Sequence, residues 1–273
     1  MFVSVIVSTY KDAEALRLIL EALECQTYRD FELIVAEDDN SKEVADLLRN
    51  SSYSYPIKHY YHEDTGWRKA VALNHSIAMS SGEYLIFFDG DCLPYSTFVA
   101  SHVALAQKQQ ILCGRRVNLE AEFSAKLRAE EITINKIEQN FFRHIWELQR
   151  DGARHIEQGI HLNPKLFKPL ITLLDRRVTL VGCNFSLHKE HMLHINGFDE
   201  SYPSGDVADD VDIEWRVEAI GVKKASCRFA TNLLHLHHTR ADRTEAHRKN
   251  LALMREKRLR GEHICKQGIA PSS

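Results

Sequence analysis

Tyr84-Leu85-Ile86-Phe87-Phe88-Asp89-Gly90-Asp91-Cys92 runs from an unbroken apolar segment into two acids one residue apart. The apolar part does not alternate, which is the pattern of a strand buried on both faces of a parallel sheet. Such a strand delivers two negative charges to its carboxyl end, and in open α/β sheets ligands bind outside the carboxyl ends of strands. Removing neighbouring carboxylates from water is costly unless a cation or strong donors compensate them. Mg²⁺ and Mn²⁺ take oxygen ligands and bridge to substrate phosphates, so a divalent cation is expected here. The competing reading is an Asp-Gly turn in which Gly90 supplies a permissive backbone.

Upstream of this strand the chain alternates strand and helix. Phe2–Ser8 and Phe31–Ala36 are apolar, β-branched runs, and Ile57–Tyr61 reads as a third strand before Glu83–Phe88. Between them, Ala15, Leu16, Ile19, Leu20 and Leu23 recur at helical spacing with Asp12 placed as N-cap. Ser41 is placed to cap a helix through Leu48, and a further helix runs from about Trp67 to Met79. This order predicts an α/β fold with a doubly wound, mostly parallel sheet. Downstream, Phe98–Gln107 reads as helix and Ile111–Leu119 as a strand carrying Arg115 and Arg116. Glu120–Arg150 is polar, with apolar residues at partial helical period. Asp151–Asp175 reads as loop, with Pro164 and Pro169. Regular signals return at Val178–Leu187, a helix at Asp209–Ile220, strands near Ala225–Leu236 and a basic helix at Arg243–Arg260.

The 273 residues suffice for one large α/β domain, and a net charge of −3 argues against a general nucleic-acid binder. The six cysteines form no C-x-x-C pair, so they read as reduced thiols of a cytoplasmic protein. No run of ~18 apolar residues could span a bilayer.

Four more motifs fall at strand or helix ends. Ser8-Thr9-Tyr10 closes the first strand without the glycines of a Rossmann or P-loop phosphate cradle. Glu37-Asp38-Asp39-Asn40-Ser41 closes the second, and three adjacent acids repel one another unless something binds them. A carboxylate there can accept the imide N–H of uracil; an ordinary N-cap cluster is the alternative. Gly66-Trp67-Arg68-Lys69 places cations at a helix start, where the macrodipole opposes them, and a bound anion would resolve the conflict. Asp209-Asp210-Val211-Asp212 opens a later helix, where carboxylates also complement the dipole. Asp210 is the candidate base for deprotonating a hydroxyl, with Ser204-Gly205-Asp206 as a flexible approach. His188, His191 and His194 lack the metalloprotease Glu and read as structural.

In order and spacing these motifs resemble glycosyltransferase family 2, inverting enzymes of the GT-A fold. The resemblance runs from Val3 to about His238 and is clearest in Val3–Tyr10, Gln26-Thr27-Tyr28, Phe31–Val35, Glu37–Ser41, Lys69–Asn74, Gly82–Asp91 and Asn196–Glu200. It implies that Thr9 and Asp39 hold the nucleotide base, with Arg68 near the nucleotide and Tyr10 among the cofactor-binding residues. It implies that Asp89-Gly90-Asp91 binds the ribose and the metal on the diphosphate, and that Asp210, second of the pair with Asp209, is the catalytic base. The family's usual Glu before the base is Asp209 here, and Gly205-Asp206-Val207-Ala208 replaces an aromatic-Gly run. Within His235-Leu236-His237-His238, His235 and His237 are expected to join Asp91 and Asp89 around Mn²⁺ or Mg²⁺.

The implied layout is a GT-A domain over 1–240 and a basic helical tail over 241–273. The domain divides into a nucleotide-binding half (1–118), a helical acceptor-side insertion (119–178) and an acceptor and catalytic half (179–240). The expected reaction moves a hexose or N-acetylhexosamine from a UDP-sugar to a hydroxyl of a glycan or lipid-linked glycan. The tail suggests peripheral contact with an anionic membrane at its inner face, and nucleic acid is not an expected partner. Two alternatives stand beside this reading. A polyprenyl-phosphate sugar transferase would want membrane segments, and a sugar-1-phosphate nucleotidylyltransferase would want a Gly-rich loop after the first strand.

Overall fold

The computed structural model describes residues 1–174, 178–203, 207, 210–239 and 244–270. The first half follows the expected alternation: β1 (Val3–Thr9), α1 (Ala13–Glu24), β2 (Phe31–Glu37), α2 (Lys42–Asn50), β3 (Ile57–Tyr60), α3 (Lys69–Met79) and β4 (Tyr84–Asp89). Asp12 and Ser41 cap α1 and α2 as their positions predict, accepting from Ala15 N at 2.9 Å and Val44 N at 3.2 Å.

The second half departs from the sequence reading. After β5 (Cys92–Pro94) and α4 (Phe98–Leu105), the single strand expected over Ile111–Leu119 is two, β6 (Gln110–Cys113) and β7 (Val117–Asn118), in different sheets. The break falls at Gly114, where an added Cβ would lie 2.3 Å from the Asn184 side chain. Asn184 fills that space and donates to Arg115 O and Thr231 O, both at 2.8 Å. The polar stretch that follows is three helices, α5 (Ala121–Arg128), α6 (Ile134–Gln139) and α7 (Phe141–Asp151), not one. Its first interruption contains Glu130 at φ 57°, outside the helical region. Asp151–Asp175 is not all loop. A 3₁₀ turn (Ile156–Gly159) precedes α8 (Pro164–Leu174), whose Asn163-Pro164 start is a cap followed by a proline at the first helical position.

Of Val178–Leu187 only the end is strand, β8 (Asn184–His188). Then come α9 (Lys189–His194), α10 (Val211–Ala219), β9 (Lys223–Ser226), β10 (Leu233–His235) and α11 (Thr244–Leu259). The main sheet has the order β3-β2-β1-β4-β8-β6-β9; β8 runs antiparallel to both of its neighbours and every other pair is parallel. A small sheet, β5-β10-β7, lies beyond the end of β4.

Alternate residues of the same strands feed two cores. Val5, Leu33 and Phe88 pack with α1 on one face; Ile6, Ile34, Leu85 and Phe87 pack on the other with Ile77 of α3 and Ile213 of α10. Phe87 stacks on Phe185 of β8 at 4.7 Å between centroids. Burying each such side chain contributes about 1.5–3 kcal/mol. Helices on both faces make the sheet doubly wound.

The chain after α10 is built into the fold. Leu251, Leu253 and Met254 of α11 pack against Tyr202, Val207 and Trp215, while Leu259 at its end is 89% exposed. Residues beyond α11 return along Asn196–Glu200: Cys265 N donates to Ile195 O, Ile269 N to Asn196 O and Glu200 N to Gln267 O. The fully buried Arg216 of α10 ties this together, donating to Asp212 Oδ2 at 3.0 Å and His263 O at 3.1 Å. Among the described residues no helix is long and apolar enough to cross a membrane.

Candidate active site

Strand register brings the nominated residues to one end of the sheet. β1, β2 and β4 are parallel, with Thr9 opposite Glu37 and Ser8 opposite Asp89. Because β8 is antiparallel, it begins beside that end, Phe88 facing Asn184.

At the end of β2 the three acids separate by partner. Glu37 accepts from Ser41 N at 2.7 Å and sits 2.5 Å from His59 Nε2. Asp38 lies 2.9 Å from His62 Nε2 and accepts from Arg68 N through both oxygens at 3.1 Å. The anion expected at the start of α3 is thus met there by the chain's own Asp38. Asp39 remains, buried, with Oδ1 lacking a hydrogen-bond partner, and the buried Thr9 Oγ1 at the end of β1 also lacks one. Burial, then the neighbouring Glu37 charge, raises the Asp39 carboxyl to about 6. Tyr10 is exposed, and its hydroxyl donates to Asp64, which also pairs with Lys11 at 2.5 Å. Arg68 donates to Thr65 Oγ1 at 3.2 Å.

The acids after β4 also diverge. Asp89 accepts from Lys69 Nζ at 2.6 Å and Ser8 Oγ at 3.2 Å, with Arg116 at 3.8 Å. Gly90 N donates to Ser8 O at 2.6 Å, and a Cβ at Gly90 would lie 2.6 Å from that same carbonyl, so only glycine lets the chain cross β1 here. Asp91 turns the other way. β10 pairs with β5, and Leu236 N donates to Asp91 O at 2.8 Å, which draws two histidines onto the Asp91 carboxylate. His235 Nε2 is 3.3 Å and His238 Nε2 3.4 Å from Asp91 Oδ2, and the three ligand atoms lie within 4.8 Å of one another. Burial works against the charge on Asp91, but the hydrogen bond and charge of His235, then His238 and Arg116, outweigh it and hold the carboxyl at about 2.

Two nominated ligands are therefore not in this group. Asp89 is held by cations, and His237 faces away, its Nδ1 3.2 Å from Glu120 and its N–H donating to Ser124 Oγ. His238, rather than His237, lies beside Asp91 and His235. Lys69, one of the cations expected at the start of α3, and Arg116, which the sequence reading gave no site role, both reach Asp89; the sequence signal for Arg116 is its place in an Arg pair directly after Gly114.

Asp210 is the N-cap of α10, its carboxylate accepting from Val211 N. Asp209, Ser204–Asp206 and Ala208 lie outside the described residues. Hydrogen bonds link α10 to the segment before β8 and that segment to Arg115. Glu214 Oε2 accepts from Leu180 N at 2.5 Å, and Arg115, which precedes Arg116, donates to Thr179 O at 3.0 Å.

Two imidazoles and one carboxylate form a donor set that fits a divalent cation and suits Mn²⁺ better than the oxygen-seeking Mg²⁺. In a doubly wound sheet ligands bind outside the carboxyl ends of the strands, and these carboxylates and histidines gather there as a candidate ligand site. The family model for glycosyl transferase family 2 matches residues 4–160, and the chain belongs to that family. Among curated relatives, glycosyltransferase AglE of Haloferax volcanii is 32% identical over 105 residues, 38% of this chain and 34% of AglE. Validoxylamine A glucosyltransferase of Streptomyces hygroscopicus subsp. jinggangensis is 33% identical over 103 residues, 37% of this chain and 24% of the relative. The matched region thus spans only about a third and a quarter of those relatives' lengths. Solved structures share the fold over nearly the whole chain. A mannosyltransferase from Pyrobaculum calidifontis, in complex with GDP-Man and Mn²⁺, gives a TM-score of 0.60 at 17% identity, over 94% of this chain and 64% of that one. S. aureus TarS in complex with UDP gives 0.64 at 14%, over 95% of this chain and 66% of that one.

Proposed function

We propose that this chain is a metal-dependent inverting glycosyltransferase that moves a hexose or N-acetylhexosamine from a UDP-sugar to a hydroxyl of a glycan or lipid-linked glycan. The observation that carries the reading is the convergence of Asp91, His235 and His238 from separate segments, beside Asp89 and the buried, partly unsatisfied Asp39 and Thr9. GDP-Man with Mn²⁺ and UDP in the structural neighbours support a nucleotide-sugar donor and a divalent metal.

In this reading Thr9 and Asp39 receive the base, Asp39 accepting the imide N–H of uracil. Asp91, His235 and His238 hold the cation, which offsets charge on the diphosphate as a Lewis acid when bound. Asp89 orients the ribose, steadied by Lys69 and Arg116. Asp210 takes the proton of the acceptor hydroxyl as that oxygen attacks the anomeric carbon. The bond from that carbon to the diphosphate oxygen breaks, and the nucleoside diphosphate leaves with the electron pair. A single displacement inverts the centre, so a UDP-α-sugar yields a β-linkage.

The test is UDP release from a panel of UDP-sugars with Mn²⁺ or Mg²⁺, run beside Asp210→Asn. The variant should lose at least ~100-fold in turnover, as expected for a positioned base, and keep its UDP affinity. Undiminished turnover rejects the assignment of the base; release from no UDP-sugar rejects the donor.

A further inference from the structure

Leu251, Leu253 and Met254 of α11 are engaged in the fold, which leaves a lone exposed Leu259 on that helix, and α8 has more of the chemistry for meeting a lipid surface. Leu166 is 74% exposed and Phe167 and Leu170 are 42% exposed, while Ile171 is fully buried with Leu105 and Leu112. Leu166, Phe167 and Leu170 are thus three exposed apolar side chains within five residues, on either side of the kink at Phe167. Lys165 is exposed beside them, and Lys168 is half-buried. From Gln158 to Leu174 the sequence contains no Asp or Glu.

We infer that α8 is a membrane-docking helix that lies in the interface of an anionic bilayer, with Leu166, Phe167 and Leu170 inserted and Lys165 and Lys168 at headgroup level. A short surface helix with exposed apolar side chains, basic residues and no acids is what such an interface selects. Charge complementarity favours lipid over the other occupants: nothing in the segment repels anionic headgroups, and lysine stems can lie along apolar surface while the amines stay in water. The chain has a second exposed apolar pair, Phe142 at 70% and Trp146 at 81% on α7, but it is flanked by Glu147 and Asp151 as well as Arg143 and Arg150. That mixed charge gives no attraction to an anionic surface. Docking does not depend on the transfer reaction, so its failure would leave the donor assignment standing.

Flotation of the full chain with phosphatidylethanolamine vesicles containing phosphatidylglycerol tests this, against pure phosphatidylcholine vesicles. The chain should float with the anionic vesicles, less so at high salt, and hardly with the neutral ones. Leu166→Asp/Leu170→Asp should lower partitioning by about tenfold or more. An unchanged circular dichroism spectrum and melting temperature would show that this variant folds. Phe142→Ser/Trp146→Ser should float like the wild type. The proposal is overturned if the wild type stays in solution, if the α8 variant floats undiminished, or if the α7 variant alone is lost from the vesicles. It is equally overturned if the α8 substitutions only convert a dimer to a monomer, because a second copy would then be the occupant.

Discussion

Glu37, Asp38 and Asp39 are neighbours in sequence with three different fates. The first two are satisfied by His59, Ser41, His62 and the backbone of Arg68, and only Asp39 keeps a buried oxygen without a partner. Its carboxyl, raised to about 6, gives a testable sign. Burial favours the neutral form, so Asp39 supports folding below its unfolded pKa, and that support is lost as pH rises to about 6. Ligand binding runs the opposite way, because accepting an imide proton requires the carboxylate. UDP affinity, measured by calorimetry, should rise up to about tenfold between about pH 5 and pH 7. Asp39→Asn should flatten that rise. The histidines give a second prediction: His238→Ala should weaken Mn²⁺ binding by about tenfold or more, as for loss of a ligand, and His237→Ala should leave it within about twofold. Mn²⁺ titration followed by electron paramagnetic resonance distinguishes them. Paired acids at strand ends were legible because an apolar run shows where a strand stops. The choice between His237 and His238 was not. Alternation along a strand would put His237 on the same side as His235, but β10 ends at His235, and the chain then turns His237 toward Glu120 and His238 toward Asp91.

Among the elements, those with a cap and an amphipathic stripe were legible, as α1 and α2 were. Asp12 does more than cap α1: it also accepts from Arg128 of α5 at 2.6 and 2.9 Å, and Arg128 reaches Glu14 at 2.8 Å. Asp12→Ala should therefore cost about 1–2 kcal/mol, from the lost cap and a partly exposed ion pair. Thermal unfolding should show this as a fall of a few degrees. α8 was missed because its two prolines read as breakers, although Pro164 starts the helix, and the turn around Pro169 is accommodated at Phe167, whose φ of −118° is not helical. The division of Ile111–Leu119 was hidden because Asn184, which fills the space over Gly114, comes from a distant part of the chain.

For the molecule as a whole, repeated strand–helix alternation made the parallel half of the sheet readable, while the order of its remaining strands depends on pairings distant in sequence. β8 is the decisive case: made long after β4 and β6, it sits between them near the middle of the sheet. A growing polypeptide on the ribosome therefore carries β4 with one flank bare, Tyr84 to Phe88 offering unpaired backbone and aromatic rings, until Asn184 to His188 has emerged. Open apolar edges of this kind invite wrong partners. The stretch recognised as the family's own, residues 4–160, lacks the strand that closes this flank. Expressed alone as a fragment ending at residue 160, it should collect in inclusion bodies, whereas the full chain stays in the supernatant. The soluble fraction after lysis measures the difference. The late-arriving β8 thus makes safe synthesis depend on whatever shields the nascent sheet for the roughly 100 residues in between.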